Sequence, residues 1–315
     1  MSKPYHYIYG PVPSRRFGRS LGIDLMPHKT CCLDCVFCQL GATSRKTLEP
    51  QCYVPTDQVI REFENWCETN GDADYITLSG SGEPTLHAGF GKVLAAVKTQ
   101  RHIPAVLLSN GVVFDRAEVR EAAGQADIVK ISLSAWDQAS FEWINRPHPD
   151  FAFDRVVEGQ KAFRQEFKGQ LWLEVFLVQG LNAMPAQVHQ IATLAREIAP
   201  DRIHLNTVTR PPAESFAMPV TQERLSLLTA LFKPRAEIIN EYKPYETEPI
   251  GADQESIRAI LKRRPCTSRQ IADVCGLHFY EVTKYLATMM REKHVRTERR
   301  NGSIYYVDAD RDVGR

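Results

Sequence analysis

The sequence predicts an α/β protein: a partial, open (β/α)6 barrel followed by a small C-terminal winged helix-turn-helix domain. Three observations carry that reading. From residue 17 to about 240, apolar runs of strand length alternate with stretches of helical period, the pattern of repeated β/α units around a parallel sheet. Residues 241–252 then break the pattern with two prolines and no periodicity, as a linker does. Beyond it the order is helix, helix, helix and hairpin, which describes a winged helix. The expected domains are therefore 1–240, a linker at 241–252, and 253–315.

Taken in order, the strands are expected over 18–25, 75–80, 104–109, 127–133, 170–178 and 202–208. Helical patterns lie between them near 55–69, 88–100, 115–125, 153–167 and 184–199, with another at 221–232. Pro55-Thr56-Asp57 and Thr221-Gln-Glu223 open two of these helices with capping residues. In the C-terminal part, Ser256–Lys262 is short and amphipathic, and Ser268–Cys275 is closed by Gly276. Phe279–Lys293 forms the longest helix there, and 295–300 and 304–307 flank Asn301-Gly302, a strong hairpin signal.

The chain has 315 residues, a formal charge of +1 and an apolar fraction of 43 %. That length suits one large α/β domain plus a small one. No N-terminal apolar run resembles a signal peptide, and no apolar stretch is long enough to span a bilayer. The eight cysteines are therefore expected to be reduced thiols in a cytosol, where clustered cysteines serve as metal ligands more often than as disulfides. Between residues 256 and 304 there are eleven Arg and Lys against four Asp and Glu, a basic surface suited to phosphates.

Cys31, Cys35 and Cys38 stand as C-x3-C-x2-C in the run Lys29-Thr-Cys-Cys-Leu-Asp-Cys-Val-Phe-Cys-Gln-Leu-Gly41. Three thiolates on one loop can hold three irons of a [4Fe–4S] cube and leave the fourth open to a ligand. A zinc knuckle short of one ligand and a chance cluster are the alternatives. Cys32 lies in the wrong register to replace Cys31 and reads as a bystander. Leu78-Ser-Gly-Ser-Gly-Glu-Pro-Thr-Leu-His87 follows the second strand. There Gly80 and Gly82 admit close backbone approach, and Glu83 can neutralise an ammonium.

Strand alternation puts Lys130, Ser132 and Ser134 on one face, with Trp172, Glu174, His204 and Asn206 on the same side of the neighbouring strands. Buried polar groups need partners, and a polar cofactor is one; mutual satisfaction is the other. Asn110, after the third strand, is placed to bond a ribose or carboxylate. Arg146 and Arg210 sit on rim loops suited to an anionic substrate. The segment Gly10–Arg19 reads either as an anion-binding loop or as a plug at one barrel end.

These residues resemble a recognisable group. Tyr9–Asp24, the cysteine motif with Cys38-Gln-Leu-Gly41, Gly80-Ser-Gly-Glu-Pro-Thr85, Asn145-Arg-Pro-His148 and the stretch from Asn206 to Pro212 are similar to radical SAM proteins of the wyosine-synthase-related group. The resemblance covers about residues 5–240. It implies a [4Fe–4S] cluster on Cys31, Cys35 and Cys38, with S-adenosylmethionine (SAM) on the open iron and Glu83 near its amino group. By the same implication Asn110, Ser132 and Glu174 lie around ribose and methionine. Gly80, Gly82 and Asn206 complete the expected cofactor site, and Lys130 is the candidate catalytic residue. The tRNA wyosine synthases themselves use a second cluster and a ketone-capturing lysine. This chain departs from them in having a single cysteine triad.

The expected activity is reductive cleavage of SAM to a 5′-deoxyadenosyl radical, with a flavodoxin or ferredoxin as reductant. RNA, in particular tRNA, is the expected substrate on account of the basic C-terminal domain. A radical enzyme for a small molecule or peptide, with the winged helix as lid or docking module, is the second reading. A cluster-based DNA-binding sensor is the third.

Overall fold

The computed structural model describes residues 5–310 apart from 15, 70, 100–101, 240–253, 264 and 301. It opens on β1 (Ile8–Ser14), which turns back antiparallel onto β2 (Gly18–Ile23). Two short strands, β3 (Thr30–Cys31) and β4 (Arg45–Lys46), pair across the cysteine loop. Then β5 (Tyr75–Leu78), β6 (Ala105–Leu108), β7 (Ile128–Ser132), β8 (Gln170–Leu177) and β9 (Arg202–Thr207) follow, with β10 (Glu237–Ile238) last. The sheet order is β1-β2-β5-β6-β7-β8-β9-β10, parallel throughout from β2 to β10. The six expected strands all form, within two residues of their expected ends.

The crossovers are helices α1 (Thr56–Thr69), α2 (Phe90–Lys98), α3 (Ala117–Ala123), α4 (Gln138–Ile144), α5 (Phe153–Glu166) and α6 (Pro185–Ile198), with α7 (Gln222–Leu228) after β9. Their apolar stripes explain their docking. In α1 the spacing Val59, Phe63, Trp66 makes one face, and all three side chains are buried. Burial of each contributes about 1.5–3 kcal/mol relative to exposure. Strand residues Ile76, Val129, Ile131, Leu171, Leu173, Val175, Ile203 and Leu205 face these helices in one core.

The opposite face of the sheet is different. Phe17, Val106, Ile128 and Trp172 form a separate small cluster there, and Phe17 stacks on Trp172 with centroids 5.1 Å apart. That stack adds about 0.5–1.5 kcal/mol beyond area burial. Phe17 belongs to the β1–β2 turn, so this hairpin closes the amino-terminal end of the parallel strands. The segment Gly10–Arg19 thus packs Phe17 against β6, β7 and β8, as a plug would.

The C-terminal segment contains α8 (Gln254–Arg263), α9 (Ser268–Cys275) and α10 (Phe279–Arg291), followed by the antiparallel pair β11 (Val295–Arg300) and β12 (Ser303–Asp308). A capping box between Thr267 and Gln270 starts α9, and Gly276 ends it at φ 62° in the left-handed region. Ile257, Leu261, Ile271, Val282, Leu286 and Met289 make a core of their own, against which Val12 of β1 packs. The expected linker at 241–252 lies outside the described residues.

Candidate active site

The loop after β2 carries the three cysteines, and backbone bonds from two distant segments hold it. The amides of Asp34 and Val36 donate to the carbonyls of Asn145 (3.0 Å) and Ile144 (3.0 Å), and the His148 amide donates to Cys32 O (2.9 Å). On the other side, Lys29 N donates to Ser81 O (2.6 Å) and Glu83 N to Thr30 O (3.1 Å). Phe37, between Cys35 and Cys38, stacks on Phe176 of β8 at 4.1 Å. The Asn145–His148 segment, expected to bring Arg146 to an anion, thus scaffolds the cysteine loop. Arg146 itself is paired with Glu214 at 2.5 Å, and Arg210 donates to Gln39 at 2.8 Å.

Each of the three sulfurs receives a nitrogen donor from a different residue. Asn110 Nδ2 lies 3.5 Å from Cys31 Sγ, Asn145 Nδ2 lies 3.3 Å from Cys35 Sγ, and Lys29 Nζ lies 3.2 Å from Cys38 Sγ. Leu33 N adds a second donor to Cys31 at 3.4 Å. Asn110 also reaches Cys32 Sγ at 3.2 Å, so its amide faces the cysteine loop. A hydrogen bond from Cys32 holds the Cys31 thiol below its ordinary range, whereas burial pushes the Cys35 and Cys32 thiols up. Lys29 is buried, and the negative partners within its reach are these sulfurs. A buried ammonium among three sulfurs with their own donors suits an electron-rich iron–sulfur group. Among the described residues no three His, Cys, Asp or Glu form a group for a single metal ion. In a cube, by contrast, each sulfur goes to a different iron.

Net charge and hydrogen bonds at the sulfurs set cluster potential. Lys29→Met keeps the length of the side chain and removes both. The expected result is a reconstituted cluster whose reduction equilibrium becomes less favourable by on the order of tenfold. An EPR-monitored redox titration of wild type and variant reads this directly.

The glycine loop after β5 is crowded by protein. A Cβ on Gly82 would lie 2.1 Å from Thr30 O, and one on Gly80 would lie 2.2 Å from the Asp24 carboxyl carbon. These glycines therefore let the loop sit against the cysteine loop and Asp24. Gly82→Ala is expected to cost roughly 1–3 kcal/mol and to displace Thr30, measured as a lower midpoint in urea and lower iron content after reconstitution. Glu83 is 3 % exposed and braces the next turn. Its Oε1 accepts from Thr85 N, Thr85 Oγ1 and Ser109 Oγ, and its Oε2 accepts from Asn110 N at 2.7 Å. One lone pair of Oε2 is left for a further donor.

The inner face of the sheet brings the expected polar residues into one network. Strand register sets Ser132 opposite Glu174, and Glu174 opposite His204. Glu174 pairs with Lys130 at 2.9 Å, accepts from Asn206 Nδ2 at 2.6 Å, and also pairs with Arg16 of the plug. Lys130 donates in turn to Ser132 Oγ at 3.3 Å. Burial would raise the Glu174 pKa, but the Arg16 and Lys130 charges outweigh it and hold the carboxyl well below its usual range. Burial and the Arg16 charge push His204 down to about 4. Arg16 was the residue that alternation missed, because it arrives from a turn.

A last contact reaches the site from the C-terminal segment. Asp24, just after β2, accepts from Ser81 N (3.0 Å), Ser81 Oγ (2.6 Å) and Met26 N (3.2 Å). Arg263, at the end of α8, lies 3.7 Å from Asp24 and 4.1 Å above the Tyr9 ring. Burial pushes the Asp24 pKa up, and the Arg263 charge opposes it.

Three comparisons bear on this site. The profile of the Radical SAM superfamily matches residues 25–195, which include the cysteine loop, the glycine loop and β5 to β8. The chain belongs to the radical SAM superfamily, and it is an enzyme whose cofactors are a [4Fe–4S] cluster and SAM. It is similar along its length to a UPF0026 protein of Helicobacter pylori, with 30 % identity over 96 % of this chain and 97 % of that one. The UPF0026 protein MJ1312 of Methanocaldococcus jannaschii is 28 % identical over 95 % of each chain. A protein of Brachyspira hyodysenteriae named GTPase Obg is 33 % identical over 95 % of this chain, which spans 45 % of that relative. Among solved structures, Streptococcus suis SuiB bound to S-adenosylmethionine has a TM-score of 0.50 at 15 % identity, covering 69 % of this chain and 46 % of that one. No described helix is long and apolar enough to cross a membrane.

Proposed function

We propose that the protein is a SAM-cleaving radical enzyme acting on RNA, with a partial barrel as catalytic domain and a winged helix as docking domain. It falls, on this reading, in the wyosine-synthase-related group. The observation that carries the reading is the set of three sulfurs, each with its own nitrogen donor. Cys31, Cys35 and Cys38 would hold three irons, and Gly80, Gly82 and Glu83 would form the wall for the methionine of SAM. When bound and reduced by a flavodoxin or ferredoxin, this pair of cofactors supplies a 5′-deoxyadenosyl radical. The chain's own part is to orient and to exclude water. Glu83 would accept the amino group through its remaining lone pair, Ser132 would offer a polar contact, Asn110 would hold the cysteine sulfurs, and the Arg16–Phe17 turn would close the far end.

The RNA reading rests on α10. Phe279 and Tyr280 are exposed at its start (44 % and 70 %), and the Lys284 side chain is exposed on the same helix. Arg269 of α9 is exposed as well. Aromatic rings for stacking beside cations for phosphates are what a nucleic-acid surface needs. The test has two arms. Anaerobic protein with dithionite and SAM should release 5′-deoxyadenosine, and its absence would refute the enzyme reading. Total tRNA should bind with a salt-dependent affinity that Tyr280→Ala and Lys284→Ala weaken, and salt-independent or unaltered binding would refute the RNA reading.

A further inference from the structure

We propose that the lumen around Lys130 is an oxyanion site, which grips the substrate through a carboxylate or phosphate held between Arg16 and Lys130. The inference rests on the lumen being the substrate side of the enzyme proposed above. Its first support is a charge imbalance. Arg16 and Lys130 are two cations, and Glu174 is the carboxylate both of them pair with. His204, which faces the same group, is neutral at pH 7. Among the described residues, one positive charge therefore stands in the interior without a paired carboxylate, an expensive arrangement unless an anion arrives.

The second support is access. The side chains of Arg16, Lys130 and Glu174 keep 12 %, 11 % and 10 % of their surface open, whereas Leu171, Leu173, Val175 and Leu205 on the other face keep none. These three charged side chains are thus not fully sealed from solvent. The third is spare hydrogen-bonding capacity. Among the described residues Arg16 Nε and His204 Nδ1 are buried and lack a partner, and Lys130 has three N–H donors of which two are used. Guanidinium and ammonium together suit an oxyanion, the first through parallel N–H bonds and the second as a point charge. The rim guanidiniums do not offer this, since Arg146 is neutralised by Glu214 and Arg210 is bonded to Gln39. Glu174 aligns the two cations and leaves a single net charge, which one anionic group balances.

The experiment uses the full chain with its cluster reconstituted under anaerobic conditions, SAM present at saturation. Orthophosphate and acetate are titrated separately by calorimetry, which tells a phosphate site from a carboxylate site. Binding of at least one is expected, weakened roughly tenfold or more in Lys130→Met and tightened in Glu174→Gln. Those opposite signs are not produced by a merely structural role. Because Glu174→Gln perturbs a buried ion pair, its thermal midpoint is followed as well, and added orthophosphate or acetate should raise it more than in wild type. The inference is overturned if neither anion binds wild type, if both variants shift affinity the same way, or if an anion binds in a parallel titration without SAM but not with it, which would make the site that of the cofactor's own carboxylate. Release of 5′-deoxyadenosine is measured on the same samples. Its persistence without anion binding would sink this inference and leave the enzyme reading intact.

Discussion

Alanine at Cys31, Cys35 or Cys38 is expected to abolish 5′-deoxyadenosine release and to lower the iron bound after reconstitution, each variant alone being sufficient. The reason is arithmetic of ligands. With three thiolates for four irons, the loss of one leaves two irons without a protein sulfur, and the loop offers no spare. Cys32 does not substitute. It is buried, it points a hydrogen bond at Cys31, and Asn110 holds its sulfur at 3.2 Å. Cys32→Ala is therefore the control: iron content should stay near wild type. Iron analysis and the absorbance of the brown protein check both statements. Retention of iron and of SAM cleavage in any one triad variant would contradict the assignment.

Glu174→Leu is expected to destabilise the fold by about 3–5 kcal/mol, since it strands two cations in the interior. The same residue predicts a pH dependence. The folded-state pKa of Glu174 is depressed by Arg16 and Lys130 against the opposing effect of burial. The stabilisation from a depressed carboxylate is complete above the unfolded value of about 4.3 and is lost as pH falls towards the folded pKa. Wild type should lose stability on acidification below about pH 5, and Glu174→Leu should lose less over the same window. Urea midpoints at several pH values read the difference. Equal slopes in the two proteins would show that the ion pairs contribute nothing.

Much of the sheet was legible because its two faces obey different rules. Period-two alternation separated Leu171, Leu173 and Val175 from Trp172 and Glu174, and the structure puts the first set in the main core and the second on the inner face. Elements with a different logic were missed. Strand β1 is short of alternation, because Gly10, Pro11 and Pro13 interrupt it, and its pairing with β2 is set by a hairpin. Helix α4 (Gln138–Ile144) is a second helix in the connection between β7 and β8, where the β/α alternation calls for only one, although the capping box Asp137 to Ser140 marks its start. Within the site, sequence could associate Asn110 and Asn145 with the motif, but not aim them at particular sulfurs. It also credited Gly80 and Gly82 with admitting a ligand, where the nearest obstacles to a side chain are Asp24 and Thr30. Such close approaches come from loops distant in sequence, which no local pattern encodes.

The contact between Arg263 and Asp24 makes truncation a poor way to ask what the C-terminal segment does. Cutting the chain ahead of α8 strips a guanidinium from a carboxylate that holds Ser81, whose carbonyl receives the Lys29 amide two residues before Cys31. Val12 would lose its apolar cover at the same stroke. A shortened protein that fails to cleave SAM would thus report a damaged hearth rather than a missing hand, and only surface substitutions on α10 separate the two.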